Sequence, residues 1–354
     1  MLIESDHREV RKVQFTGRST YILSLPKRWI EEMHLDAGDQ VALIREHDNS
    51  LSIVPIISGM RESLNEVTAI ILPNDSSNMV KRKVVSLYLA GYDIIHLKLK
   101  SGRINPVHRD GVREVVRRNL VGTEMIADAS DNITLQVLLS MPELSVNTAI
   151  RRMYLIASSM HKDAMSAVAE LNYELAKEVI KSDDEVDRFS LYVLRNLVMA
   201  TKNGRVLREM GLKNPSECLS YRVAAKSIER VADHASSIAD QAMKLKEKIP
   251  EKSLQKIDKM SHLALTVLGD SVEALLRRDY QLADKTVDNA ENILTLEDDA
   301  MTAMEKDRVH DLGNIKLALE DIRRTAEYAS DIAEVAMNDT IDEVTEKHIA
   351  NRRK

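Results

Sequence analysis

The chain has 354 residues, with 56 acidic and 50 basic side chains, so its formal net charge at pH 7 is −6. This mild balance argues against a protein that coats nucleic acid over its whole surface, but it permits a local basic patch. Cys218 is the single cysteine, which excludes an intramolecular disulfide framework and favours a reducing cytoplasm. The N-terminus lacks the apolar core of a signal peptide, and no apolar run reaches the ~18 residues of a membrane span. We therefore expect a cytoplasmic protein without a transmembrane segment.

Residues 1–57 alternate apolar and polar side chains as β-strands do, and they contain the only tryptophan, Trp29. Gly17 and the Ala-Gly-Asp sequence at 37–39 predict turns, and Pro26 predicts the start of a short helix. About fifty residues of this kind bury too little apolar surface to be stable alone. The segment is therefore predicted to form an intertwined dimer.

A run of basic residues lies within this segment. Between positions 7 and 28, six basic residues and one acidic residue, Glu9, give a local charge of +5 (six minus one) in a chain of net −6. The six basic residues are Arg8, Arg11, Lys12, Arg18, Lys27 and Arg28. Such a patch is typical of phosphate contacts with DNA. The alternative is that these side chains only keep exposed strand edges soluble.

The segment 8–56 resembles the SpoVT–AbrB type of swapped-hairpin DNA-binding domain. The shared motifs are G-x-S at 17–19, L-P-x-x-W at 25–29 and the Gly-Asp turn at 38–39. The resemblance implies a two-fold homodimer that places its basic residues on DNA. Some domains of this fold bind a partner protein instead.

The middle segment, 62–142, mixes β-branched runs with two short helical patterns. Two helices on a sheet of about four strands predict a small α/β sandwich. Two functions stay open for it: a dimerisation or spacer module, or a sensor of a small molecule.

From residue 146 onward the pattern is helical and contains an internal repeat. Residues 222–243 match 316–337, 94 positions later, at ten of 22 positions. Residues 172–186 match 279–293 at an offset of 107, so the first copy holds 13 extra residues (107 − 94). The glycine-containing sequence 203–215 is the predicted insertion.

Each copy is predicted to form three helices, over 146–247 and 252–345. The sequence thus predicts a multidomain α+β protein. Its parts are an N-terminal swapped-hairpin β domain, a small α/β sandwich and a C-terminal all-α tandem pair of three-helix bundles.

Two acidic pairs in the first copy predict a cation site. Asp183 and Asp187 lie on its second helix and Glu229 and Asp233 on its last, and a spacing of four puts each pair on one helical face. Two facing helices of this kind bind a hard or borderline cation through carboxylate oxygens. The alternative is a solvated acidic stripe balanced by arginines, which needs no metal.

The double bundle over 146–340 resembles PhoU, the phosphate-uptake regulator family, through the E/D-x-x-x-D motif at 229–233. The resemblance implies iron or zinc clusters held by these motifs. It also implies phosphate-linked partners, either a phosphate ABC transporter or a sensor protein at the membrane. The two resemblances together are typical of an archaeal regulator.

The second copy departs from the motif. Arg323 stands where Glu229 does, and Leu294 stands where Asp187 does. Glu327 and Asp331 still form a carboxylate pair at a spacing of four, so they are a second candidate metal site. In the alternative interpretation, an arginine neutralises these groups in place of a metal.

Catalytic motifs are absent from the sequence: it contains no P-loop, no nucleophile elbow, no H-E-x-x-H and no cysteine cluster. We therefore predict a regulator and not an enzyme, with a metal-dependent phosphatase as the least favoured alternative. The leading hypothesis is a DNA-binding transcriptional regulator of phosphate uptake. The second is an adaptor that inhibits the ATP-driven phosphate transporter directly, without DNA binding.

Overall fold

The computed structural model describes residues 9–17, 19–45, 50–56, 64–100, 102–138 and 145–345. The chain divides into two compact units, Met1–Ser63 and Leu64–Lys354. Small strands in the first unit and a helix-rich second unit confirm the coarse fold class. Swapping of the hairpins, a tandem pair of three-helix bundles and the four domain boundaries stay predictions.

The described residues of the first unit form two short antiparallel hairpins and one helix. Its elements are β1 (Gln14–Thr16), β2 (Thr20–Ile22), α1 (Lys27–Glu32), β3 (Val41–Arg45) and β4 (Leu51–Pro55). β1 pairs with β2, and β3 pairs with β4, in two separate sheets. Gly17 has a φ of +64° in the first hairpin, a conformation that favours glycine.

This unit leaves most of its large apolar side chains in solvent. Tyr21, Leu43 and Leu51 are 70%, 68% and 69% exposed, whereas Leu35 is buried. An apolar surface of this extent on a segment of about fifty residues favours burial against a second surface.

We therefore expect residues 1–57 to form a dimer when expressed alone, because pairing removes these side chains from water. Sedimentation equilibrium measures the mass directly. Replacing Leu43 with Asp is expected to shift the fragment toward an unfolded monomer. A folded and stable monomer of the unsubstituted fragment would contradict the swapped-hairpin prediction.

The second unit begins with a four-stranded sheet and two helices. Its elements are β5 (Glu66–Ile71), α2 (Ser77–Leu89), β6 (Ile94–Leu99), α3 (Pro106–Asn119), β7 (Thr123–Asp128) and β8 (Asn132–Val137). The strand order is β5-β6-β8-β7, with β5 parallel to β6 and β8 antiparallel to both neighbours. Ser76 and Asn105 cap the two helices by accepting hydrogen bonds from backbone amides. These elements agree with those predicted for the middle segment, and we call them the α/β domain.

The rest of the described chain is helical. The helices are α4 (Val146–Glu170), α5 (Tyr173–Lys202), α6 (Gly204–Glu209), α7 (Glu217–Ala242), α8 (Glu251–Arg277), α9 (Tyr280–Ala290), α10 (Asn292–Lys306) and α11 (Leu312–Thr340). A single-turn 3-10 helix follows at Ile341–Glu343. Within the described part of the chain, every helix is either too short or too polar to traverse a bilayer.

The internal repeat is visible in matching turns. Leu171 ends α4 and Arg278 ends α8, and both have left-handed backbones, with φ of 58° and 61°. They correspond at the predicted offset (171 + 107 = 278). The next residues, Asn172 and Asp279, each cap the following helix by accepting from a leucine amide. Equivalent turns in both halves support a duplicated helical unit.

The two halves also differ. α6 lies inside the predicted insertion 203–215, and the second helix of the repeat is continuous only in the first half. In the second half it divides at Glu291 into α9 and α10. Each half therefore contains four helices where the sequence predicts three.

Buried alanine residues explain why the sequence at 222–243 recurs at 316–337. α7 packs against α4, α5 and α11, and α11 packs against α7, α8 and α9. Ala232 and Ala239 on α7, and Ala326 and Ala333 on α11, are fully buried. Small side chains let helix axes approach closely, so these positions place α7 and α11 at the centre of the helical region.

Candidate functional site

The structure brings the four carboxylates predicted in the first half together between α5 and α7. Asp183 and Asp187 come from α5, and Glu229 and Asp233 come from α7, the helix packed against it. Each carboxylate of α5 is electrostatically affected by both carboxylates of α7. We call these four residues the acidic cluster.

The three aspartates of the acidic cluster have pKa values above the usual range of a carboxyl group. Burial, and then repulsion by Asp233, Asp187 and Glu229, raises the pKa of Asp183 to about 7. Burial, and then repulsion by Glu229 and Asp233, raises the pKa of Asp187 to about 6. The pKa of Asp233 is also raised, first by burial and then by repulsion from Glu229. Both causes disfavour the ionised carboxylates, and a bound cation opposes both.

The carboxylate oxygens of the cluster suit a metal ion that prefers oxygen ligands. The Oδ1 atom of Asp183 is buried and has no hydrogen-bond partner in the structure, which is unusual for a buried polar atom. As the side chains stand, however, no group of three or more metal-binding side chains converges on one point within the described residues. Glu229 instead pairs with Lys226, whose Nζ lies 2.6 Å from Oε1. A cation at the cluster would compete with this ammonium group.

In the second half an arginine occupies the equivalent position. Arg323 contacts Glu297 at 3.2 Å and Glu320 at 3.7 Å, and it also pairs with Glu327. Arg324 donates a second hydrogen bond to Glu327, at 2.9 Å. Glu327 is therefore neutralised by guanidinium groups, as in the alternative that the sequence left open.

The order of the two charges within one ion pair is reversed between the two halves. Lys226 and Glu229 correspond at the offset of 94 to Glu320 and Arg323 (226 + 94 = 320 and 229 + 94 = 323). Each pair is in contact within its own helix. The first half thus places acidic groups at the centre of its cluster, whereas the second places a permanent cation there.

Asp331 does not form an ion pair with Arg323 in the structure. Burial, and then repulsion by Glu334, raises the pKa of Asp331, whereas Arg230 on α7 opposes the shift. Arg230 also lies over the ring of Tyr328, 5.2 Å from its centroid. The predicted pair Glu327 and Asp331 therefore lies among arginine side chains, whereas in the acidic cluster Lys226 pairs with Glu229.

Two polar contacts, one partly buried and one buried, join the halves and were missed by sequence reasoning. His234 Nδ1 lies 2.7 Å from Asp321 Oδ1, and His161 Nε2 lies 2.9 Å from Ser261 Oγ. Complete burial lowers the pKa of His161 to about 4, so its ring is neutral at pH 7. Neither pair has a sequence motif, because its members lie 87 and 100 positions apart.

Four of the six basic residues predicted to contact DNA lie within the described residues. Arg8 and Arg18 lie outside the described residues. Arg11, Lys12, Lys27 and Arg28 are exposed. Arg11 pairs with Glu9, Lys27 with Glu31 and Arg28 with Glu32. Exposed pairs of this kind are weak, about 0–1 kcal/mol each, so another anion would compete with the carboxylates for these side chains.

Comparisons with protein-family models match two parts of the chain. The PhoU domain matches residues 150–242, a range that contains the whole acidic cluster. The model described as antidote-toxin recognition MazE, bacterial antitoxin, matches residues 14–60.

Curated relatives agree with the first match. The phosphate-specific transport system accessory protein PhoU homolog of Aquifex aeolicus is 29% identical over 135 residues, covering 37% of this chain and 57% of that protein. The homolog of Caulobacter vibrioides is 28% identical over 208 residues, covering 54% of this chain and 86% of that protein. The crystal structure of the phosphate transport system regulatory protein PhoU from Streptococcus pneumoniae aligns with a TM-score of 0.47 and 19% identity, over 57% of this chain and 96% of that chain.

Proposed function

We propose that this chain, which is PhoU-like in its helical region and carries an N-terminal AbrB-like domain, is a DNA-binding transcriptional regulator of phosphate uptake. The observation that carries the proposal is the presence of both matches, at 14–60 and 150–242, in one chain. The curated relatives are named for phosphate transport alone, so the N-terminal domain adds a second means of action.

The N-terminal domain would act as a homodimer on DNA. Its exposed apolar side chains support dimerisation, and its basic residues support contact with phosphate groups. Two copies double the local charge of the basic run. Phosphate contacts fix the protein on the duplex, whereas the identity of the bases is read elsewhere.

The helical region would respond to a cation. Asp183, Asp187, Glu229 and Asp233 would hold a divalent metal, with iron or zinc as the ions implied by the PhoU resemblance. Support comes from the raised pKa values of Asp183 and Asp187 and from the unpartnered Oδ1 atom of Asp183. A bound ion supplies positive charge that offsets the repulsion between α5 and α7. At Glu327 and Asp331 the neighbouring arginines supply that charge, so we assign no metal there.

A second candidate function is direct control of a transporter. The names of the relatives describe accessory proteins of a phosphate-specific transport system, which favours an adaptor that inhibits the ATP-driven transporter. In that case the N-terminal domain serves dimerisation alone. Both candidates describe a regulator in the cytoplasm and not an enzyme, and DNA binding separates them.

Replacing Arg8, Arg11, Lys12 and Arg18 with Ala is expected to weaken binding to DNA of any sequence. It is also expected to reduce the magnitude of the slope of log affinity against log salt by up to about seven units, roughly 0.9 for each of the eight phosphate contacts that the two chains of the dimer would lose. Fluorescence anisotropy with promoter DNA of the chain's own operon, at several salt concentrations, measures both effects.

A matched control changes four exposed basic residues of the helical region to Ala, namely Lys177, Lys181, Arg205 and Arg208. It alters the net charge equally but is expected to leave the salt slope unchanged. Wild-type affinity and slope in the N-terminal variant would rule out this DNA-binding surface and favour the adaptor.

A further inference from the structure

α5 packs against both helices of the α/β domain, and a buried arginine of α5, Arg195, lies at this contact. Arg195 is 4% exposed. Its Nη1 donates to the carbonyl oxygens of Tyr88, at 2.5 Å, and Tyr92, at 2.8 Å, and its Nη2 donates to Asp93 Oδ1 at 2.7 Å. The guanidinium carbon also lies 4.9 Å from the centre of the Tyr88 ring. A buried arginine with this many partners fixes the relative position of the two elements.

These contacts are made at the C-terminus of α2, where backbone carbonyl groups lack helical partners. Lys202, the last residue of α5, donates to the carbonyl oxygen of Ala90 at 2.9 Å. Gly91 follows with a φ of +95°, and a side chain there would begin 3.2 Å from Met199 on α5. Two basic side chains, Arg195 and Lys202, and the close packing of Gly91 on Met199 therefore hold α5 against the C-terminus of α2.

Asp93 extends this connection to the start of the α/β domain. Its other carboxylate oxygen, Oδ2, accepts a hydrogen bond from the backbone amide of Asn65 at 3.0 Å. The carbonyl oxygen of Asn65 in turn accepts from the amides of Asp93 and Ile94, at 2.7 and 3.1 Å. Asn65 directly precedes β5 and is the second residue of the second unit, which follows the N-terminal unit in the chain.

The same helix carries half of the acidic cluster. Arg195 follows Asp187 by eight residues and Asp183 by twelve, or ~12 and ~18 Å along one continuous helix. In the second half the equivalent position is Thr302 (195 + 107 = 302), beyond the break between α9 and α10. The connection is therefore particular to α5.

We infer that the α/β domain has a coupling function: it receives changes at the acidic cluster through Arg195 and passes them, through Asp93, to the chain segment at Asn65. This inference deepens the proposed function, and it gives the domain a role other than that of a spacer or a small-molecule sensor. Its physical basis is that α5 belongs to both sites, so a shift of α5 relative to α7 displaces Arg195 as well.

Charge at the cluster provides the driving force. Ionised carboxylates on α5 and α7 repel, and neutralisation by substitution or by a cation removes that repulsion. A change of this kind affects a distant site only when the two arrangements differ in free energy at both sites. A double-mutant cycle between Asp187 and Arg195 measures that shared free energy without metal or DNA.

The experiment compares amide hydrogen exchange in full-length wild type, Asp187→Asn, Arg195→Met and the double variant, in peptides spanning 60–72 and 90–98. Arg195→Met is expected to speed exchange in these peptides roughly tenfold, because the anchor of Asp93 is lost. Asp187→Asn alone is expected to slow exchange by about threefold, at the low end of coupling between interacting residues. In the Arg195→Met background it is expected to have no effect.

Two further variants keep the inference testable. Asp93→Asn preserves size and replaces Arg195→Met if that protein fails to fold. Arg208→Met removes an exposed arginine from α6 and is expected to leave exchange unchanged. Equal effects of Asp187→Asn with and without Arg195, or no effect in either, would overturn the coupling function. Because metal and DNA are absent, this result is independent of the proposed regulation, which the DNA-binding assay tests.

Discussion

The Asp183→Asn variant is expected to melt at a higher temperature than the wild type in metal-free buffer at pH 8, and to show no gain when Zn²⁺ is added. The substitution keeps the shape of the side chain and removes one negative charge from the acidic cluster. Because repulsion and burial both disfavour ionised Asp183, its removal stabilises the metal-free protein. Differential scanning fluorimetry with and without Zn²⁺ measures both effects.

The difference in stability between Asp183→Asn and the wild type depends on pH because the pKa of Asp183 is raised. The pKa of Asp183 is about 7 in the folded chain, against the ordinary value of 3.8 for an aspartate side chain. Between these two values the folded protein binds a proton that the unfolded chain has released. The stability that this proton gives is complete below pH 3.8 and is lost as pH rises to about 7. The advantage of Asp183→Asn should therefore grow over that range and stay constant above it.

In the presence of Zn²⁺ the wild type is expected to melt at a higher temperature than Asp183→Asn. A ligand that binds only the folded state stabilises it by RT ln(1 + [L]/Kd), about 2.7 kcal/mol at a hundredfold excess over Kd. The gain in the wild type should fade below pH 6, because protons compete for the carboxylates. Glu327→Gln is the control and should keep the full response to Zn²⁺. Equal responses in wild type and Asp183→Asn would show that the acidic cluster does not bind the ion.

The Arg323→Gln variant is expected to lose about 2 kcal/mol of unfolding free energy, because it leaves the partly buried Glu297 without its cation, while Glu320 and Glu327 keep only Arg324. Arg323 is 21% exposed in its side chain, and Glu297 is 24% exposed. Denaturation by urea at pH 7 measures the loss.

The same variant should recover stability on acidification. Burial already raises the pKa of Glu297 against the opposing effect of Arg323, and removal of the arginine raises that pKa further. Glu297 then takes up a proton on folding, so the deficit shrinks as pH falls. Arg324→Gln is the control: its side chain is 43% exposed, and a smaller loss is expected. A variant of Arg323 as stable as the wild type at pH 7 would mean that the arginine does not act as the cation of this site.

Local pattern was sufficient to predict much of the molecule. Helical periodicity and the two offsets predicted three helices in each half and the insertion that contains α6, because side-chain spacing along a helix is a local property. They did not predict the division of the second helix of the later half into α9 and α10. The same spacing predicted that Asp183 and Asp187 share one face, as do Glu229 and Asp233. Turn residues and alternation predicted the strands and helices of the α/β domain, since hairpins and caps depend on neighbouring residues.

Tertiary structure decided how these faces meet. Only packing of α5 on α7 set the two acidic pairs against each other and raised the pKa values of Asp183, Asp187 and Asp233, because burial and repulsion act through space. Packing also chose Lys226 as the partner of Glu229. The contacts of Arg195 with Tyr88, Tyr92 and Asp93 span more than 100 positions of sequence, and no local pattern marks them. A buried arginine and an exposed one look alike in a helical sequence until the neighbouring element is in place.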